Sequence, residues 1–135
     1  MEDKLLYKDL TYRIRGIMFE IQNELGRFRN EKQYGDALAS KFDQNAIKYK
    51  REFILPISFD GEKIGRNRVD FLVEDLVIIE LKCEPVLTRD DYHQCQRYLE
   101  STDLDLALLV NFRPRYLLVR RILNHKKFNN KKDNL

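Results

Sequence analysis

"RVDFLVEDLVIIELK", residues 68–82, is the most hydrophobic stretch of the chain, and it carries acids where strands disfavour them. Val69, Phe71, Leu72 and Val73 lead to Glu74-Asp75, and Leu76, Val77, Ile78, Ile79 and Leu81 follow. The pattern predicts two apolar strands joined by a turn, the second continuous enough to be central in a sheet. Asp70, Glu80 and Lys82 lie within those strands, and a buried charge persists only if it is paired, protonated or bound to a metal. Alternation puts Glu80 and Lys82 on one face of their strand. A three-residue turn at 74–76 sets Asp70 opposite Glu80; a two-residue turn at 74–75 sets it on the face of Ile79 instead.

Reading outward, Leu6, Leu10, Ile14, Ile17, Ile21 and Leu25 recur at helical spacing. They predict a helix over 4–25 that ends at Gly26. A second helix over 30–46 carries Tyr34, Ala37, Leu38 and Phe42 on one face, with Glu31 near its start. "REFILPISF" (51–59) reads as a strand made edge-like or irregular by Pro56, and Asp60-Gly61 as a hairpin signal leading into "EKIGRNRVDFLVE". Thr88 and Asp91 resemble a capping box for a helix over 89–101. "DLALLVNF" (105–112) is a buried strand, and "RYLLVRRIL" (115–123) a short strand or helix. The order α-α-β-β-β-α-β, with a final short element, predicts an α/β fold with a mixed sheet flanked by helices. We expect one domain over 1–124 and a basic, flexible tail over 125–135.

Composition narrows the function only modestly. Lys and Arg number 25 against 22 Asp and Glu, so net charge does not by itself announce a nucleic-acid binder. Basic residues cluster instead in "RIRG", "GRFRNEK" and the tail "RRILNHKKFNNKKDNL". Two cysteines, Cys83 and Cys95, form neither a zinc pattern nor a disulfide framework. With no apparent signal sequence and no membrane-length apolar run, we expect a cytoplasmic protein.

Asp70 facing Glu80 needs a cation between the two. Mg²⁺ or Mn²⁺ suits their hard oxygens, and the backbone carbonyl of Leu81 would add another. The competing reading is a structural ion pair of Lys82 with Asp70 or Glu80. Convergence favours the site: an acid on one strand, Glu-x-Lys ending the next, then a capped helix with Gln94 and Tyr98 one turn apart.

Asp70, Glu80-Leu81-Lys82 and Gln94-Cys95-Gln96-Arg97-Tyr98 resemble the signature of the PD-(D/E)XK nuclease superfamily. The trailing Gln-xxx-Tyr is similar to the branch of RecB-type and phage lambda exonuclease-type nucleases. "LGRFRNEKQYGDAL", residues 25–38, resembles the GxxExxY family through Gly26, Glu31, Tyr34, Ala37 and Leu38, and "LLVNF" (108–112) resembles a later strand of that family. The resemblance spans about residues 10–121. One position departs: the family's naming glycine falls at Phe28, which puts the local turn in question more than the chemistry.

The resemblance implies a restriction-endonuclease-like core and metal-dependent phosphodiester hydrolysis. It makes Asp70 and Glu80 metal ligands, with Glu31 as a further acid. Lys82 would orient or activate the attacking water, and Gln94 and Tyr98 would position the metal-water shell or the phosphate. The expected function is a nuclease on nucleic acid, leaning to DNA, in repair, recombination or defence. A silent nucleic-acid- or protein-binding module of the same fold is the alternative. A homodimer or a protein partner fits a lone domain of this size. Arg13, Arg15, Arg27, Arg29, Arg66, Arg68, Arg97, Arg113, Arg115, Arg120 and Arg121 are candidates for the phosphate backbone. Tyr12, Phe28 and Tyr92 are candidates for stacking, against ordinary packing or exposure.

Overall fold

The computed structural model describes residues 6–128. Two helices, α1 (Lys8–Leu25) and α2 (Glu31–Gln44), precede strands β1 (Tyr49–Ile54), β2 (Arg68–Val73) and β3 (Val77–Lys82). Helix α3 (Arg89–Thr102), strands β4 (Leu106–Asn111) and β5 (Leu118–Leu123), and a short α4 (His125–Phe128) complete the order. The sheet runs β1-β2-β3-β4-β5. β3 and β4 are parallel, joined through α3, and every other pairing is antiparallel. This is the α/β mixed sheet expected from the sequence.

Period-two alternation divides the core. Ile79 and Leu81 of β3 face α1 and α2, packing with Ile14, Met18, Tyr34, Leu38 and Phe42. Ile78 faces α3, packing with Cys95, Tyr98 and Leu99. β3 and β4 are buried almost throughout, which explains their continuous apolar sequence, whereas β1 alternates as an edge strand does. Each fully buried aliphatic contributes about 1.5–3 kcal/mol by leaving water, so the two-sided burial of β3 anchors whatever it carries.

Local signals act largely as expected. Gly26 ends α1 with φ 80°, a conformation that glycine adopts without strain. Asn30 caps α2 in a reciprocal box with Gln33, and Thr88 caps α3 in a second box with Asp91. Gly35 lies inside α2 because Arg51 passes over it: a Cβ there would meet the guanidinium.

Three expectations shift. Helix α1 starts at Lys8, since Tyr7 before it is left-handed at φ 52°; residues 1–5 of the expected span lie outside the described residues. Asp60-Gly61 does not make a tight hairpin. The chain leaves β1 after Ile54 and pairs again only at Arg68. The Glu62 carboxylate accepts from the Ser58 N–H and the Asn67 amide, closing residues 58–67 into a loop of their own. β1 is the edge strand that Pro56 suggested, and it is irregular as well, at Glu52, left-handed at φ 52°. Of the expected tail, residues 125–128 form α4 and the remainder lies outside the described residues. No helix among the described residues is long and apolar enough to cross a membrane.

Candidate active site

The turn between β2 and β3 contains three residues. Val73 pairs with Val77, and the Leu76 N–H donates to the Val73 carbonyl at 2.9 Å across Glu74 and Asp75, both left-handed. Continuing Leu72↔Ile78 and Phe71↔Ile79 sets Asp70 opposite Glu80, but the backbone ladder stops at Phe71. Side chains take over from there. Glu80 Oε2 accepts the Asp70 N–H at 2.8 Å, and Asp70 Oδ2 accepts the Leu81 N–H at 2.7 Å. The strands part, and the carboxylates hold the backbone groups that the parting would orphan.

Each carboxylate thereby has one oxygen fixed, while its other oxygen makes no hydrogen bond among the described residues. The N–H and C=O of a strand residue project to the same side, so the Leu81 carbonyl also faces this opening. The Lys82 carbonyl turns the other way and accepts the Phe112 N–H at 3.0 Å.

Glu80 is buried, and burial, reinforced by the Asp70 charge, pushes its carboxyl up to about 8. Burial also raises Asp70, with Glu52 adding repulsion and Leu81, Lys82 and Arg51 opposing. Lys82 stays protonated: burial works against its charge, but Glu80, Asp91, Glu31 and Asp70 outweigh it. Its Nζ donates to Gln94 Oε1 at 3.2 Å and lies 3.7 Å from Asp91 Oδ1. Gln94 in turn lies beside Tyr98, whose hydroxyl is raised by burial and by the Glu80 charge. Five of the expected residues, Asp70, Glu80, Lys82, Gln94 and Tyr98, therefore meet at one end of β3.

Glu31 approaches from the first turn of α2. Much of the residue is exposed, but its carboxyl end lies by the Cys83 N–H and Lys82, deep enough for burial to raise its pKa. With Gly35, Arg51, Glu52, Asp70 and Leu81 it lines a cleft of about 350 Å³. No group of three or more His, Cys, Asp or Glu among the described residues is arranged to hold a metal, so Glu31 does not join Asp70 and Glu80 in such a cluster. The pair itself suits a hard divalent cation. Its oxygens are preoriented by backbone N–H groups, its protonation is raised chiefly by burial and at Glu80 also by the Asp70 charge, and a carbonyl faces the same gap.

Some participants escaped the sequence reading. Asp91 appeared there only as a helix cap, yet it is buried and pairs with Lys82. The Glu84 carboxyl lies beside Asp91 and is pushed up to about 7, chiefly by that neighbour and by burial. Buried Asn111 holds the backbone of Glu84 through both its amide groups, at 3.1 and 2.7 Å. The sequence signal for Asp91 was present in its position, three residues into a helix that directly follows Glu-x-Lys; Asn111 offered none. Burial pushes Cys83 up to about 11 and Cys95 up to about 12, and both are free thiols, so neither is an activated nucleophile.

The sequence profile of the PD-(D/E)XK nuclease superfamily matches residues 8–122, and the chain belongs to that superfamily. Among solved structures, it is similar to the crystal structure of an alkaline exonuclease (LHK-Exo) from Laribacter hongkongensis. The TM-score is 0.50 at 15% identity, covering 71% of this chain and 57% of that one, a likeness of fold. The chain thus spans little more than half the length of that exonuclease. No curated protein matches it.

Proposed function

We propose that this member of the PD-(D/E)XK nuclease superfamily hydrolyses phosphodiester bonds of nucleic acid, most naturally DNA, with a divalent metal ion, Mg²⁺ or Mn²⁺, as cofactor. The observation that carries the reading is the parted β2–β3 ladder, where Asp70 and Glu80 are held face to face with Lys82 beside them. A structural ion pair would not need a second, repelling carboxylate in the same gap.

Asp70, Glu80 and the Leu81 carbonyl would hold the ion, with Glu31 as an outer acid. When bound, the ion lowers the pKa of an attacking water and neutralises charge on the phosphate. Lys82, fixed by Gln94 and Asp91, presents a cation to the developing negative charge and orients the water. Tyr98 would position Gln94, and through it the Lys82 ammonium. The reading extends to the GxxExxY branch through Gly26, Glu31 and Tyr34, to the Gln-xxx-Tyr motif at Gln94 and Tyr98, and to a role in repair, recombination or defence. A homodimer would supply a second active site, and a protein partner would supply targeting. A basic tail beyond residue 124 would add phosphate contacts.

The test is cleavage of labelled linear duplex, single-stranded and branched DNA, and of single-stranded RNA, with Mg²⁺, Mn²⁺ or EDTA, beside Lys82→Ala. Metal-dependent cutting that the variant loses supports the proposal. Cutting indifferent to metal or to the variant overturns it as contamination. Salt-sensitive binding without cutting transfers the protein to the silent binding module.

A further inference from the structure

The loops at 26–30 and 112–117 come together although they are far apart in sequence. The Arg27 Nε–H donates to the Arg113 carbonyl at 2.7 Å. Gln22 at the end of α1 clamps the second loop, donating to the Phe112 and Pro114 carbonyls and accepting the Leu117 N–H. Tyr34 stacks on Phe112 with ring centroids 4.2 Å apart and donates its hydroxyl to the Gly26 carbonyl, which ties down the first loop. Both backbones are thus preorganised by side chains of α1 and α2.

On this rigid base stand two aromatic rings that remain largely open to solvent. Phe28 is 76% exposed and Tyr116 75% exposed, which no packing requirement explains. Each has a guanidinium on it: Arg27 and Arg113 lie 4.8 and 5.9 Å from the Phe28 centroid, and Arg115 lies 5.5 Å from that of Tyr116. Arg27, Arg29, Arg113 and Arg115 pair with no carboxylate among the described residues, and Arg113 Nε is buried without a partner. Unneutralised cations around exposed π-faces match a polyanion that also offers flat apolar faces.

The position is equally specific. Asn111 pairs with Lys82 in the parallel β3–β4 ladder, so the 112–117 loop leaves the sheet at the Lys82 end. The Arg113 charge acts on Cys83, the residue after Lys82. Phe28 lies three residues before Glu31.

We propose that Phe28 and Tyr116, with Arg27, Arg113 and Arg115, form a stacking platform that holds unpaired nucleotides of a nucleic-acid strand at the mouth of the active site. The inference rests on the nuclease reading for its direction and specifies the substrate: a single strand, or a duplex with an unpaired end, rather than a blunt duplex. The arginines supply backbone affinity, and the rings supply the discrimination, since paired bases keep their faces within the helix.

Fluorescence anisotropy in EDTA separates binding from cutting. The probes are labelled oligodeoxythymidine, oligouridine and a blunt DNA duplex, and the proteins are the wild type, Phe28→Ala, Tyr116→Ala and Phe28→Tyr. Both rings are exposed, so the alanine variants should keep the fold, which circular dichroism checks. Each alanine is expected to weaken single-strand binding roughly five- to a hundredfold while changing duplex binding by no more than about twofold, and Phe28→Tyr to bind as wild type. Equal losses on single strand and duplex, or no loss, would overturn the platform. A loss on oligodeoxythymidine alone assigns it to DNA strands, and a loss on both oligomers to unpaired strands generally. If the wild type cuts nothing with Mg²⁺ while Phe28→Ala still loses single-strand binding, the nuclease reading fails and the platform stands. If the wild type cuts and Phe28→Ala binds and cuts single strands normally, the platform fails and the nuclease stands.

Discussion

Glu80 accepts the backbone N–H of Asp70 at 2.8 Å while Asp70 accepts the N–H of the next residue, Leu81, at 2.7 Å. Two carboxylates thus replace the ladder bonds of a buried sheet at the place where its strands part. Repulsion between them is tolerated because each is tied to the backbone and because Lys82 contributes a positive charge to both. The same bonds that hold the fold together hold the proposed donor atoms.

Glu80 gives the stability of the metal-free protein a pH dependence. The folded chain holds its proton up to about 8, whereas an unfolded glutamate releases it near 4.3. The stabilising effect of that proton is therefore complete below the unfolded value and is lost as pH rises toward about 8. In EDTA, the Tm of Glu80→Gln relative to wild type is expected to rise from pH 5 to pH 8. Mg²⁺ should raise the wild-type Tm more at pH 8 than at pH 6 and leave Glu80→Gln unchanged. Thermal scans across pH, with and without metal, check this.

Asp70 separates structure from chemistry. In Asp70→Asn the side-chain oxygen still accepts the Leu81 N–H, so stability should stay within about 1 kcal/mol of wild type, whereas Asp70→Ala orphans that N–H and should cost about 1–3 kcal/mol. Both variants should lose metal-dependent cleavage. Urea unfolding beside a cleavage assay reads the two effects apart.

Asp91 acts through Lys82. Its carboxylate accepts the Thr88 N–H at 2.8 Å and faces the Lys82 ammonium. Asp91→Asn keeps an acceptor for the cap and removes the charge, so about 1 kcal/mol of stability and roughly tenfold in kcat should be lost with KM little changed. A shift in the pH profile of kcat, which a purely structural role would not produce, distinguishes positioning from folding.

Tyr34 couples the core to the loop before α2. Its hydroxyl donates to the Gly26 carbonyl and accepts the Arg29 N–H at 3.2 Å. Tyr34→Phe keeps the stack on Phe112, so the fold should survive at a cost of about 1 kcal/mol. Denaturation midpoints and amide exchange at residues 26–30 should show that loop loosening first.

Much of this protein was legible in its residues taken alone, for reasons that are local. Helical spacing from Leu10 to Leu25, the stop at Gly26 and the cap at Thr88 depend on neighbours within a few positions. So do the placement of Glu80 and Lys82 on one face and the two-sided burial of β3. The pairing of Asp70 with Glu80 was legible only as one of two registers. The left-handed backbone of Glu74 and Asp75 selected it by making the turn three residues long. Asp60-Gly61 misled because Glu62 and Asn67 capture that loop, a competition that turn propensity does not register. Tertiary structure alone brought Asp91 to Lys82, Asn111 to Glu84 and Arg27 to Arg113. Those meetings depend on where α3 crosses and where β4 emerges. Periodicity decides which way a side chain faces, but only the folded sheet decides what it faces.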